Sequence, residues 1–178
     1  MVDLKGSKTE KNLMAGFAGE SQARNKYTYF ASVARKAGYE QIAEIFQETA
    51  DNEKEHAKRM FKFLEELGDT PANLKAAASG ENYEWTDLYA RFEKDAREEG
   101  FTQIADFFKE LITVERQHEK RYLALLKNVE ENAVFKKGDV TRWKCRNCGY
   151  IYEGADAPDT CPVCTHPQSY FELLAENY

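Results

Sequence analysis

Glu53-Lys54-Glu55-His56 is the stretch that decides how this chain folds, together with Glu115-Arg116-Gln117-His118, which follows sixty-two residues later. A glutamate and a histidine three residues apart on a helix lie on one face, so each stretch offers two metal ligands. Both stretches also interrupt helical patterns at positions where a buried apolar side chain is expected. Together they predict metal binding inside a helical protein.

Apolar side chains recur at steps of three and four along four segments, which predicts four helices. The first helix covers about 8–36, and the second runs from about residue 42 to Leu67 and ends at Gly68. Segment 68–80 has no clean period and carries Pro71, so it predicts a crossover connection with a short helical piece. The third helix covers about 81–99, and the fourth helix has apolar side chains at this spacing from about 104 to 129.

The second pair of helices repeats the first pair at the same offset of sixty-two residues. The matching pairs are Tyr27 and Tyr89, Phe30 and Phe92, Gly38 and Gly100, Phe46 and Phe108, Glu53 and Glu115, and His56 and His118. A duplicated helical hairpin with a longer crossover predicts a four-helix bundle with pseudo-two-fold symmetry.

Carboxylates stand on the inward faces of all four predicted helices. They are Glu20, Glu53, Glu115 and at least one of Glu81 and Glu84. An unpaired carboxylate in a bundle core costs several kcal/mol, so this cluster needs cations. Two-metal carboxylate bundles take one glutamate from each of two helices and a Glu-x-x-His from each of the other two. The pattern therefore predicts a two-metal site, and its oxygen-rich ligands favour iron or manganese over zinc.

Glu84 leaves two interpretations open. As a surplus ligand it would bind in the oxidised state, and His56 or His118 would take the vacated position after reduction. Alternatively, Glu84 caps the start of the third helix, where a negative charge is favourable. The roles of Tyr27 and Tyr89 also have two interpretations. These tyrosines either donate hydrogen bonds to ligand carboxylates or pack in the core.

The C-terminal part of the chain carries Cys145-Arg146-Asn147-Cys148 and Cys161-Pro162-Val163-Cys164. Two such Cys-x-x-Cys knuckles predict a tetrahedral four-thiolate site for iron or zinc. A module of roughly forty residues is too small for a self-sufficient core, so the metal is expected to contribute to its folding. His166 is interpreted as a solvated loop residue. These features predict a helical domain over 1–135, a linker over 132–141 and a cysteine domain over 140–178.

Composition excludes several classes of function. The chain has 178 residues, 42% of them hydrophobic, and a net charge of -6 without a basic block. Nucleic-acid binding is therefore not expected. No apolar run resembles a signal peptide or reaches transmembrane length, which predicts a cytoplasmic protein without membrane association.

These motifs together resemble the rubrerythrin family over essentially the whole chain. The helical part resembles its ferritin-like di-iron domain through Glu20, Glu53, His56, Glu81, Glu84, Glu115 and His118. The tail resembles rubredoxin through Trp143-Lys-Cys, Cys148-Gly-Tyr-Ile-Tyr-Glu-Gly and Cys161-Pro-Val-Cys164. The spacing between the knuckles is shorter than in free-standing rubredoxins and is similar to that of rubrerythrin tails. The resemblance implies a mainly α fold, a ferritin-like four-helix bundle followed by a small rubredoxin-like metal-bound β/loop domain.

The resemblance also implies individual roles. Glu53 and Glu115 would bridge the two irons, with Glu20 on one iron and Glu81 and His118 on the other. Glu84 would bind the first iron when it is oxidised, and His56 would replace Glu84 when it is reduced. Tyr27 and Tyr89 match family positions that hydrogen-bond near the site.

The implied activity is that of a non-haem di-iron peroxidase that reduces hydrogen peroxide to water in defence against oxidative stress. An iron bound by the four cysteines, with zinc as a possible substitute, would relay electrons from a redox partner such as rubredoxin or an NAD(P)H-dependent reductase. The family also implies a homodimer. Two alternatives are a ferroxidase or iron-storage-like protein, and a zinc-ribbon binding module on a structural bundle. The cysteine tail argues against storage, and visible absorption would separate iron from zinc.

Overall fold

The computed structural model describes residues 3–177 and contains two compact units. The first unit ends at Gly68 and the second begins at Asp69. The fold class predicted from the sequence is confirmed, because long helices are followed by a small three-stranded sheet at the C-terminal end. Among the described residues, no helix combines the length and the apolar character that a membrane span requires.

The first unit is a hairpin of α1 (Lys8–Lys36) and α2 (Glu40–Phe63). Ser7 begins α1 by accepting a hydrogen bond from the backbone N–H of Glu10, at 3.0 Å. Small side chains on the facing sides of the two helices are buried and let the backbones approach closely. They are Ala31, Ala34, Ala43, Ala50 and Ala57.

A second helical hairpin opens the second unit. It contains α3 (Thr70–Tyr83), a π-helical turn (Glu84–Leu88), α4 (Tyr89–Glu98) and α5 (Thr102–Glu130). The residues that join α3, the π turn and α4 keep right-handed helical backbone angles, so these three elements form one helical segment. The predicted first and fourth helices are confirmed by α1 and α5.

The turns of the two hairpins are built alike, which supports the predicted duplication. Gly38 and Gly100 have φ angles of 82° and 87°. The guanidinium of Arg35 lies 3.4 Å from Glu44 across the first turn, and that of Arg97 lies 3.0 Å from Asp106 across the second. Each arginine therefore ties the end of one helix to the start of the next in the same way.

The predicted crossover connection over 68–80 is wrong. Asp69 accepts a hydrogen bond from the backbone N–H of Ala72 at 3.0 Å and begins α3 there. Pro71 falls in the first turn of the helix, where the missing N–H has no cost. The second helix also ends earlier than predicted, at Phe63, because Glu65 adopts a left-handed φ of 57°.

The C-terminal sheet consists of β1 (Lys136–Cys145), β2 (Ile151–Asp156) and β3 (Phe171–Leu173), in the order β2-β1-β3 with antiparallel pairing. A single turn of 3-10 helix (Gln168–Tyr170) precedes β3. Trp143 is fully buried in the centre of this module and donates a hydrogen bond to the carbonyl of Gly154 at 3.0 Å. Because β1 begins at Lys136, a strand occupies part of the segment predicted as a linker.

Candidate metal centres

The first carboxylate cluster lies between α1 and α2. Glu20 comes from α1, and Glu53 and His56 come from α2. The Nδ1 atom of His56 lies 2.8 Å from the carboxylate of Glu53 and 3.8 Å from that of Glu20. The helical spacing of three residues therefore places glutamate and histidine side by side, as the sequence predicts.

The second cluster repeats this arrangement in the other unit. Glu81 comes from α3, and Glu115 and His118 come from α5. The Nδ1 atom of His118 lies 2.7 Å from Glu115 and 3.4 Å from Glu81. Glu115 is the most enclosed of these groups, with a side chain that is 10% exposed. Of the two carboxylates left open by the sequence, Glu81 is the one in this cluster.

The carboxylates of each cluster lie close enough together to change the pKa of their neighbours. A hydrogen bond with Glu53, followed by burial and by the charge of Glu53, raises the pKa of the Glu20 carboxyl group. Burial, followed by a hydrogen bond with Glu115, raises the pKa of Glu81. In both cases the nearby histidine acts in the opposite direction. A cation between these groups would relieve the repulsion between the carboxylates.

The dimensions of both clusters fit a metal ion. In each cluster, one ligand atom from each of the three residues lies within 4.8 Å of the others. Metal–ligand bonds of about 2.1 Å place neighbouring ligand atoms about 3 Å apart and opposite ones about 4.2 Å apart. The donor set of two carboxylates and one imidazole in each cluster is that preferred by iron and manganese.

Glu84, Tyr27 and Tyr89 lie outside these two clusters. Glu84 is half-buried at the first position of the π turn. Burial, and then the charge of Glu84, raises the pKa of the Tyr89 hydroxyl above its usual value. The Tyr89 ring stacks on Phe108 at 6.0 Å, and the Tyr27 ring lies 6.2 Å from Phe46 at the matching position of the repeat.

Glu119, next to His118, was not predicted from the sequence. Its carboxylate accepts hydrogen bonds from the side chains of Asn82 at 2.9 Å and Trp85 at 2.6 Å. The matching position in the first hairpin is Ala57. A glutamate at this position in one repeat and an alanine in the other is the sequence feature that could have pointed to Glu119.

The four cysteines form the third cluster, within the C-terminal module. Their sulfur atoms all lie within 4.8 Å of one another, with Cys145 and Cys164 at 3.7 Å and Cys148 and Cys161 at 3.6 Å. Metal–sulfur bonds of about 2.3 Å in a tetrahedron place the sulfurs about 3.8 Å apart. The cluster therefore has the dimensions of a four-thiolate metal site. His166 is outside it and packs edge-on against the ring of Tyr170.

Both knuckles use the same backbone hydrogen bonds. The N–H of Gly149 donates to the carbonyl of Cys145, and the N–H of Thr165 donates to that of Cys161, both at 2.9 Å. Gly149 and Thr165 have left-handed φ angles of 80° and 58°. The two turns thus present their cysteine pairs by one repeated geometry.

The thiols differ in their readiness to ionise. The backbone N–H of His166 is the main cause that lowers the pKa of Cys164 to about 6. At Cys148, the backbone N–H of Tyr150 lowers the pKa, but desolvation and the three neighbouring thiols outweigh it and raise the pKa to about 12. At least the Cys148 proton must therefore leave when a metal binds all four sulfurs at neutral pH.

A mainly helical chain with two matched carboxylate–imidazole clusters and a tetracysteine module defines a class of non-haem metalloprotein with two kinds of metal site. The sequence profile described as rubrerythrin matches residues 11–126, and the profile of the rubredoxin-like domain of rubrerythrin matches residues 143–172. The chain belongs to the rubrerythrin family. The predicted cofactors agree with this, since the carboxylate–histidine residues correspond to a di-iron site and the cysteines to a rubredoxin-like site.

Named relatives match the chain over nearly its whole length. Rubrerythrin-1 of Clostridium acetobutylicum is 57% identical, with 100% of both chains covered. Rubrerythrin of Porphyromonas gingivalis is 55% identical over 98% of this chain and 94% of the relative, and that of Nitratidesulfovibrio vulgaris is 50% identical over 100% of both. Membership of this family implies an oxidoreductase, and the rubredoxin-like domain indicates electron transfer with redox partners.

Proposed function

We propose that this protein is a non-haem di-iron peroxidase that reduces hydrogen peroxide to water in defence against oxidative stress. The observation that carries the proposal is the presence, in one chain, of two matched Glu-x-x-His clusters and a four-thiolate site. Four-thiolate iron is a one-electron carrier. Iron storage has no need for an attached carrier of this kind, whereas a peroxidase must be re-reduced after each turnover.

The proposed ligands of the di-iron centre come from both hairpins. The first supplies Glu20, Glu53 and His56, and the second supplies Glu81, Glu84, Glu115 and His118. The family resemblance supports Glu53 and Glu115 as bridging carboxylates. It also supports an exchange in which Glu84 binds the oxidised iron and His56 takes its place on reduction.

When bound, two ferrous ions would supply the two electrons that cleave the O–O bond of one peroxide, and two protons complete two water molecules. The side chains prepare this chemistry. The Tyr89 hydroxyl, like that of any ordinary tyrosine, is protonated at neutral pH, so it can donate a hydrogen bond toward an oxygen acceptor. Tyr27 has the matching position in the first hairpin, and we assign it the same role.

Electrons would reach the centre through the cysteine-bound iron, held by Cys145, Cys148, Cys161 and Cys164. The proposed donor is a redox protein such as rubredoxin or an NAD(P)H-dependent reductase, since no glycine-rich nucleotide-binding motif occurs in the chain. The family resemblance further supports a cytoplasmic homodimer, and sedimentation analysis of the purified protein would test that assembly.

The proposal is tested by metal analysis combined with peroxide-dependent oxidation of the reduced protein. We expect two irons in the carboxylate centre and one in the red cysteine centre, and oxidation of the former by one equivalent of peroxide. Glu53→Gln should abolish this oxidation. Glu55→Gln is the matched control, because Glu55 lies on the same helix but is exposed and paired with Lys58 at 3.3 Å. Equal oxidation in the Glu53→Gln variant and the wild type, or a colourless zinc-loaded native protein, would contradict the proposal.

A further inference from the structure

The two hairpins differ by one residue at the proposed metal site. In α1, which is regular throughout, Tyr27 follows Glu20 by seven positions, whereas Tyr89 follows Glu81 by eight. The π turn at Glu84–Leu88 absorbs the additional residue, and the N–H of Tyr89 donates to the carbonyl of Glu84 across it. Single π turns inside α-helices are uncommon and are frequent at functional sites.

Glu119 holds this turn from the opposite helix. Its two carboxylate oxygens accept the side-chain N–H groups of Asn82 and Trp85, at 2.9 Å and 2.6 Å. These two donors flank Glu84 in the sequence, one before it and one directly after it. One carboxylate on α5 therefore fixes both sides of the residue that begins the π turn.

Further contacts support the same local structure. The hydroxyl of Thr86 donates to the backbone carbonyl of Asn82 at 2.6 Å, which supplies that carbonyl with a donor next to the turn. The guanidinium of Arg116 lies over the Trp85 ring, 5.7 Å from its centre. The Trp85 indole is thus held by Glu119 at its N–H and by Arg116 on its face.

The first hairpin is a natural comparison. Ala57 is the counterpart of Glu119, and its small side chain has no group that could accept such hydrogen bonds. There α1 continues as a regular α-helix. The carboxylate and the π turn therefore occur together in one hairpin and are both missing from the other.

We propose that Glu119 is a positioning residue that clamps the π turn to α5 and thereby fixes the direction of the Glu84 carboxylate. The inference rests on the proposed function in one respect, which is that Glu84 binds the oxidised iron. Glu119 acts through Asn82 and Trp85 and is not itself assigned as a metal ligand.

Hydrogen exchange of the metal-free full-length chain tests the clamp directly. Hydrogen bonds to a charged acceptor are strong enough that Glu119→Ala should speed exchange of the backbone N–H groups of residues 84–89 at least about tenfold. Residues 20–27 of the first hairpin should exchange at the wild-type rate. Glu119→Gln, which keeps one acceptor oxygen, should give an intermediate rate, and Glu110→Ala, an exposed change on the same helix, should have no effect. Unchanged exchange at 84–89, or equal acceleration in both hairpins, would overturn the clamp.

The reduction potential of the di-iron centre tests the link to Glu84. A ligand that binds the oxidised iron more tightly than the reduced iron lowers the reduction potential, so Glu84→Ala should raise the potential. Glu119→Ala should also raise it, because the Glu84 carboxylate is then no longer held in place. In the double variant, Glu119→Ala should add nothing to the effect of Glu84→Ala, because residues that act through one another are not additive. Additive shifts, or no shift with Glu119→Ala alone, would overturn the positioning role. Neither measurement uses peroxide, so a failure of the peroxidase proposal would be seen separately.

Discussion

Replacing Gly149 by alanine should weaken metal binding at the cysteine site. Gly149 has a φ of 80° in the turn that presents Cys145 and Cys148. A Cβ at this position would meet no atom within 4 Å, so the cost is conformational and not steric. A residue other than glycine in the left-handed region costs roughly 1–2 kcal/mol. Because metal binding and folding of such a module are coupled, the affinity for iron should fall about 5- to 30-fold.

The assay is competition between the full-length protein and a chelator, followed by the visible absorption of the ferric thiolate centre. Gly19→Ala is the matched control, because Gly19 lies within α1 and a Cβ there also meets no atom within 4 Å. That change removes a helix-interior glycine and should stabilise the protein by about 0.5–1 kcal/mol without altering chelator competition. Equal iron retention by Gly149→Ala and the wild type, or equal loss in both variants, would refute the role assigned to the left-handed turn.

Two other predictions concern the carboxylates. Glu84→Ala should slow turnover with peroxide while both irons stay bound, and loss of one iron on metal analysis would show that Glu84 is an ordinary ligand. The pKa values of Glu20 and Glu81 are raised in the folded state, so over the range from about 4.5 to those raised values the folded protein holds more protons on these groups than the unfolded chain does. The metal-free protein should therefore lose stability as the pH rises through this range. Iron binds these carboxylates in their ionised form, so the stabilisation of the protein by iron should grow over the same pH range. Thermal unfolding with and without Mn²⁺ or Fe²⁺ measures both trends. A metal-free protein that gains stability as the pH rises would contradict the first trend.

Much of the fold follows from local patterns in the sequence. The three-and-four spacing of apolar residues predicts α1 and α5 correctly, and the offset of sixty-two residues predicts the matching turns at Gly38 and Gly100. Glutamate and histidine three residues apart are brought together by the helix itself. Each Cys-x-x-Cys knuckle likewise presents its own cysteine pair through a local turn, whereas the fold of the C-terminal module brings the two pairs together.

The π turn and the start of α3 depend on features that periodicity does not reveal. A π turn inserts one residue without breaking the helix, so it appears in the sequence only as a one-residue difference between Glu20–Tyr27 and Glu81–Tyr89. Pro71 suggested a connection, but its effect depends on whether it falls inside a helix or in its first turn. The contacts of Glu119 join residues more than thirty positions apart, and only the folded hairpin brings them together.

The most direct test of the proposed function is the rate at which the diferrous protein is oxidised by hydrogen peroxide and by dioxygen. Anaerobic protein, reduced and loaded with iron, is mixed with each oxidant in a stopped-flow instrument, and the absorption of the diferric centre is followed. A peroxidase should react much faster with peroxide than with dioxygen. Equal rates with the two oxidants, or a faster reaction with dioxygen, would contradict the peroxidase assignment and favour iron oxidation as the activity of the centre.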